Sequence, residues 1–213
     1  MSDEQQTPAA TEGRDWSELI AAILLGIAAV LTAYAAYYGA LAGGDALLTY
    51  TQSSRTTADA NGFYNDYSQT YSADQALFLQ YQLLVERGDT DTAEVIKDTM
   101  FSEALTTATD AWLALPEGEG PPTPMDTDEY VIEAFDTAEQ LTAQADAEFD
   151  EAHKIDDQGD NFDLASVYLA ISLFFAGIAM IFKGPGTRRA MLVVSLLAIF
   201  PGLQAIAKGK GWL

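Results

Sequence analysis

LIAAILLGIAAVLTAYAAYYGAL, from Leu19 to Leu41, is 23 residues without a charged side chain. A helix rises about 1.5 Å per residue, so this stretch reaches ~35 Å, enough to cross a bilayer core with some tilt. Two further apolar runs follow, Leu164 to Phe182 and Ala190 to Ala207. The last is shorter and contains Pro201, which predicts a kink or an early exit. Residues 1–18 form an acidic tail in which Asp3, Glu4, Glu12, Asp15 and Glu18 face Arg14 alone. A cleavable signal peptide needs a basic start and a shorter apolar run, so the first span reads as a retained anchor.

The chain of 213 residues has a formal charge of −22, yet 49% of it is hydrophobic. The two properties separate along the sequence. Between Gly43 and Asn161 lie 26 acidic and 4 basic residues, which hold the whole net charge; the 6 acidic and 6 basic residues elsewhere cancel. The expected organisation is a tail (1–18), span one (19–41), an acidic helical domain (42–163), span two (164–182), a basic loop (183–189), span three (190–207) and a short C-terminal tail (208–213). Lys183, Arg188 and Arg189 form a tight basic cluster, which puts that loop in the cytoplasm. The acidic domain then lies outside the cell membrane. Lys208, Lys210, Arg55 and Lys154 pull the other way, and the compactness of the loop cluster decides.

The acidic domain reads as helical, giving an all-α fold with a stalk or hairpin inserted between spans one and two. Counting by sevens from Ala22 reaches Ala29, Ala36, Gly43, Tyr50, Thr57, Tyr64, Tyr71, Phe78 and Val85, a coiled-coil-like period. One long helix is therefore expected from span one to Gly88, kinked at Gly43–Gly44. TQSSRTTADANG, Thr51 to Gly62, is its weak point, being too polar to bury easily. A second helix should run from an Asp89 or Asp91 cap to Pro116, with an apolar face of Phe101, Leu105, Ala108, Trp112 and Leu115. After EGEGPPTP (117–124), Asp126 and Glu129 have capping-box spacing and should open a third helix. That helix returns to span two with a break near Gly159.

This order resembles an uncharacterised bacterial and archaeal family of three-span membrane proteins, classed as a domain of unknown function. The stretches that carry the resemblance are AYAAYYGALAGGDAL (33–47), AWLALP (111–116), PPTPM (121–125) with Tyr130, and QGDNFDLASVYLAISLFFAGIA (158–179). The chain departs from it at Tyr37 to Gly39, where a Trp and a basic residue belong. The resemblance implies a fold and no activity. The excess of carboxylates, the few lysines and the many Ala and Thr residues resemble chains of salt-loving archaea. At molar salt the Debye length shrinks to ~3 Å and self-repulsion fades. The acidity then reflects habitat; a cation-collecting domain is the competing reading.

Motifs for chemistry are absent. The sequence has no Cys, no GxxxxGK[ST], no GxSxG and no HExxH. His153 stands alone among Glu148, Asp150, Glu151 and Asp156, and reads as a solvated surface histidine rather than a metal ligand. DDQGDN (156–161), with Asp163, faintly suggests a calcium loop but lacks EF-hand spacing; a helix break at the membrane surface explains it equally. No catalytic residue, cofactor or metal is assigned, an enzyme is not expected, and the acidic surface argues against nucleic acid. The spans carry no charged side chain, against an ion-coupled carrier.

The most specific feature is a seam of small residues in span one: Ala22, Gly26, Ala29, Ala33, Ala36 and Ala40. Small side chains let transmembrane helices approach and associate. The seam serves either a homo-oligomer or packing within the chain. Two functions follow: an oligomeric, membrane-anchored helical stalk acting as a structural or interaction protein, or a passive channel with an acidic vestibule. Thr51 to Gly62 separates them: in a pore it would line water between subunits, and in a simple stalk it would merely face solvent. The lipid bilayer is the one partner the sequence supplies besides a second copy.

Overall fold

The computed structural model describes residues 16–116 and 119–213. The described elements are all helical: α1 (Trp16–Glu86), α2 (Thr90–Met100), α3 (Glu103–Leu113), a 3-10 turn (Pro124–Asp126), α4 (Glu133–Ile181) and α5 (Pro185–Gly209). Stretches of α1, α4 and α5 are long and apolar enough to cross a membrane. The chain is thus an all-α protein with the helices of a multi-pass membrane protein. It divides into two compact units, one of residues 1–49 and 150–213, the other of residues 50–149. α1 and α4 each supply a segment to both.

The first unit buries many small residues, together with Phe162, Leu169, Ile199 and Ile206, and leaves many large apolar ones exposed. Ala21, Ala28 and Ala35 of α1 are fully buried, as are Ala165, Ala176 and Ala179 of α4. Ile23, Val30, Phe174, Ile181, Leu197 and Phe200 are exposed. Water would reverse that arrangement. Lipid permits it, because large apolar side chains are as well solvated by acyl tails as by protein, and close helix contact then needs small residues. At Gly202 an added Cβ would lie 3.0 Å from Leu169 Cγ, and at Gly209 2.9 Å from the Phe162 ring. α5 therefore lies nearly backbone-close on α4. Buried between them, Ser195 Oγ donates to the Ser172 carbonyl (3.0 Å), leaving the Ser172 hydroxyl to donate to Ser195 Oγ (2.9 Å).

The second unit packs in the ordinary sense. Phe78, Tyr81, Ala93 and Leu105 form its core, with Leu84, Phe101, Trp112 and Met125 against it. Asp89 caps α2 through the Thr92 amide. Ser102 caps α3 through the Leu105 amide. The turn after α3 is held by Trp112 Nε1 donating to the Pro121 carbonyl (2.8 Å).

Several expectations need correction. α4 runs helical through Gly159, where the sequence predicts a break; α1 and α5 are likewise continuous through Gly43–Gly44 and Pro201. Proline removes one amide but leaves the flanking ladder, and a helix tolerates that where its neighbours pack tightly. The single helix expected over 89–116 is two, broken at Phe101–Ser102 because Ser102 satisfies the amides of a new helix start. Asp126 opens no helix: its carboxylate accepts from Thr123 Oγ1 (2.8 Å), and α4 begins only at Glu133. The basic loop shortens, since Arg188 and Arg189 already stand in the first turns of α5, which Pro185 opens.

Gly62 is helical with open space around it, whereas Gly202 is crowded. Gly62→Ala should raise stability by about 0.5–1 kcal/mol. Gly202→Leu should lower it by roughly 1–3 kcal/mol through overpacking against Leu169. Unfolding of detergent-solubilised protein, followed by helical circular dichroism, checks both.

Candidate functional site

Within the first unit, the seam residues Ala22, Gly26, Ala29, Ala33, Ala36 and Ala40 all fall on an exposed face of α1. The stripe that packs inside the chain, Ala21, Ala28 and Ala35, lies one residue earlier. A Cβ added at Gly26 would meet nothing within 4 Å. The chain's own spans therefore leave the seam uncovered.

Both ends of α5 carry a placed cation. Arg188 is buried and donates to the Phe182 carbonyl (3.2 Å) and to Ser17 Oγ (3.1 Å). Lys210 Nζ sits 3.4 Å from the Tyr38 ring centroid, with Tyr34 and Phe162 at 5.7 and 5.8 Å. Tyr38 and Phe162 are themselves stacked, at 5.7 Å.

In the second unit the most constrained polar group is Asp74 of α1, 2% exposed. Its Oδ2 accepts from Ser102 Oγ (2.6 Å) and from the Tyr130 hydroxyl (2.9 Å). One carboxylate thereby ties α1 to the start of α3 and to the segment that leads into α4. Its negative charge also faces the positive end of α3's dipole. Burial, and then the hydrogen bond to Asp74, push the Tyr130 hydroxyl well above the ordinary phenol range. Sequence reading passed over Asp74, which is one of 32 acidic residues and marked only by Phe78 one turn later.

The polar stretch 51–62 turns two hydroxyls inward. Ser53 Oγ donates to the Ala145 carbonyl (2.9 Å) and Thr56 Oγ1 to Glu148 Oε2 (2.8 Å). Hydrogen bonds from Gln144, and next from Thr56, hold the Glu148 carboxyl below its usual range. Lys97 meets Asp110 at 2.5 Å, and that bond raises the lysine's pKa. His153 is exposed, 3.4 Å from Asp157. Residues 156–163 are helical, without the loop that an EF-hand cation site requires, and the described residues hold no cluster of three metal-ligating side chains. An aromatic group formed by Tyr64, Tyr67, Tyr71, Tyr130 and Phe135 completes the unit, with ring centroids 5.0–6.1 Å apart.

No family model matches the chain, and no curated protein or solved structure matches it either.

Asp74→Ala leaves two buried hydroxyls without their acceptor and should cost about 3 kcal/mol. The raised Tyr130 pKa means that the folded state keeps its phenol proton where the unfolded state loses it. Its contribution is complete below pH ~10 and falls as pH rises beyond, because the unfolded chain then binds fewer protons. Denaturation measured across that alkaline range should show stability falling with pH, less steeply in Tyr130→Phe.

Proposed function

We propose that this protein is a structural or interaction protein of the cell membrane: an oligomeric three-span anchor bearing an acidic helical stalk outside the cell. The observation that carries the reading is the uncovered seam from Ala22 to Ala40, beside a stripe already used for the chain's own packing. A face of Ala and Gly is poor at filling space against acyl tails, and well suited to a second helix at close range. α1 and α4 each run unbroken from an apolar segment into the acidic segment. Membership of the uncharacterised three-span family that the sequence resembles would fit this role, and the carboxylate-rich composition would fit a salt-loving archaeal source.

Light scattering of the protein in mild detergent at high salt, with the detergent mass subtracted, tests the reading. A defined oligomer is expected, and Gly26→Leu combined with Ala33→Leu should reduce it to a monomer. Both positions are exposed in the chain, so the substitutions leave its own packing intact. A wild-type monomer, or an oligomer indifferent to the two leucines, refutes the interface.

A further inference from the structure

The second unit contains a cavity of about 380 Å³ walled by four rings, Tyr67, Tyr71, Tyr130 and Phe135, with Met125 and the carboxylate of Asp136. The rings are tied into one group: Tyr67 lies 5.0 Å from Phe135 and 5.9 Å from Tyr71, and Tyr71 lies 6.0 Å from Tyr130. No lysine or arginine is among the lining residues. We propose that this cavity binds a small quaternary ammonium ion, held against the ring faces and neutralised by Asp136.

The chemistry favours that ligand class over other cations. A ring's negative face attracts a cation within about 6 Å, most strongly when the cation sheds water easily. A quaternary nitrogen has no N–H to satisfy and is weakly hydrated, so an aromatic wall competes well with solvent for it. A hard metal ion needs several oxygen ligands, and the cavity supplies one carboxylate. The electronic setting strengthens the attraction. The Tyr130 hydroxyl donates to the Asp74 carboxylate at 2.9 Å, which pushes electron density into that ring. The first unit shows the same kind of aromatic grouping with a cation in place: Tyr34, Tyr38 and Phe162 surround Lys210 Nζ.

The inference is independent of oligomerisation, and its test reads binding alone. The full-length protein, purified in a detergent without a choline headgroup, is titrated calorimetrically with tetramethylammonium chloride against a constant background of sodium chloride. Saturable binding is expected, with choline competing and sodium not. Phe135→Leu, at a partly exposed position, should weaken it roughly tenfold, and Tyr67→Leu likewise, whereas Tyr67→Phe keeps a ring and should retain most of the affinity. Asp136→Asn should weaken binding several-fold. Circular dichroism confirms that each variant keeps its helices. In a parallel arm, nanodiscs of phosphatidylcholine and of phosphatidylglycerol distinguish a free ion from a lipid headgroup: equal tetramethylammonium affinity in both supports a free ligand. Absence of saturable binding in the wild type, affinity unchanged by loss of the rings, or competition by phosphatidylcholine alone overturns the proposal.

Discussion

Close approach of helices through side chains no larger than a methyl group or a hydroxyl is the constraint on which the first unit depends. In a bilayer the hydrophobic effect does not drive one apolar helix onto another, so contact must come from dispersion at short range and from hydrogen bonds. Ala21, Ala28 and Ala35 meet this on α1 with a spacing of seven, the period that keeps one stripe turned to a partner. Gly202 and Gly209 meet it on α5, where even a methyl group would press on Leu169 or Phe162. From Gly39 the buried positions step over by four residues and keep the spacing of seven: Gly39 and Ala46, then Ser53, Ala60, Asp74 and Tyr81 in the second unit. The buried residues of α1 thus pass from glycine and methyl groups to a set that includes a hydroxyl, a carboxylate and a phenol.

That change reflects the change of solvent. In the second unit a strongly acidic surface must still enclose a core, and direct ion pairing contributes little: Lys97–Asp110 has one partner well exposed. Burial of Phe78, Tyr81 and Leu105 supplies the driving force. Asp74 supplies the geometry, because a buried carboxylate is tolerated only with its lone pairs occupied. Ser102 and Tyr130 both donate to its Oδ2, and Ser102 at the same time caps α3. Core, cap and chain reversal therefore stand or fall together at this one side chain.

Much of this was legible in the sequence. The three helices apolar and long enough to span follow from uncharged length, the choice of Asp89 or Asp91 as a cap from residue type and position, and the long α1 from its seven-residue period. The phase of that period was not legible. Ala21 and Ala22, Ala28 and Ala29, and Ala35 and Ala36 are adjacent pairs of identical residues, so either stripe satisfies the spacing. Only the partner helix decides which one turns inward. The break at Ser102 escaped for a related reason: the apolar face from Phe101 to Trp112 keeps helical spacing across it, and a serine becomes a cap only when its amides have no other acceptor. Polar content misled at Thr51 to Gly62, where Ser53 and Thr56 bury by bonding rather than by being apolar. A helix breaker misled at Gly159, where the backbone packs closely on Ala42 and tertiary contact overrides local preference.

Apolar packing alone leaves a transmembrane helix free to slide, because a shift along the axis exchanges one methyl contact for another at small cost. α5 shows how that freedom is removed. Arg188 near its start reaches the Phe182 carbonyl and Ser17, at the beginning of α1. Lys210, just past its end, lies over Tyr38 and beside Phe162, which brings in α1 and α4. Between them, the reciprocal hydroxyls of Ser172 and Ser195 fix one level of α4 against one level of α5. A slide of a single turn, about 5.4 Å, would break all three at once. Directional contacts at the two ends and the middle thus convert a stack of interchangeable methyl groups into one register, and that register leaves the face from Ala22 to Ala40 uncovered.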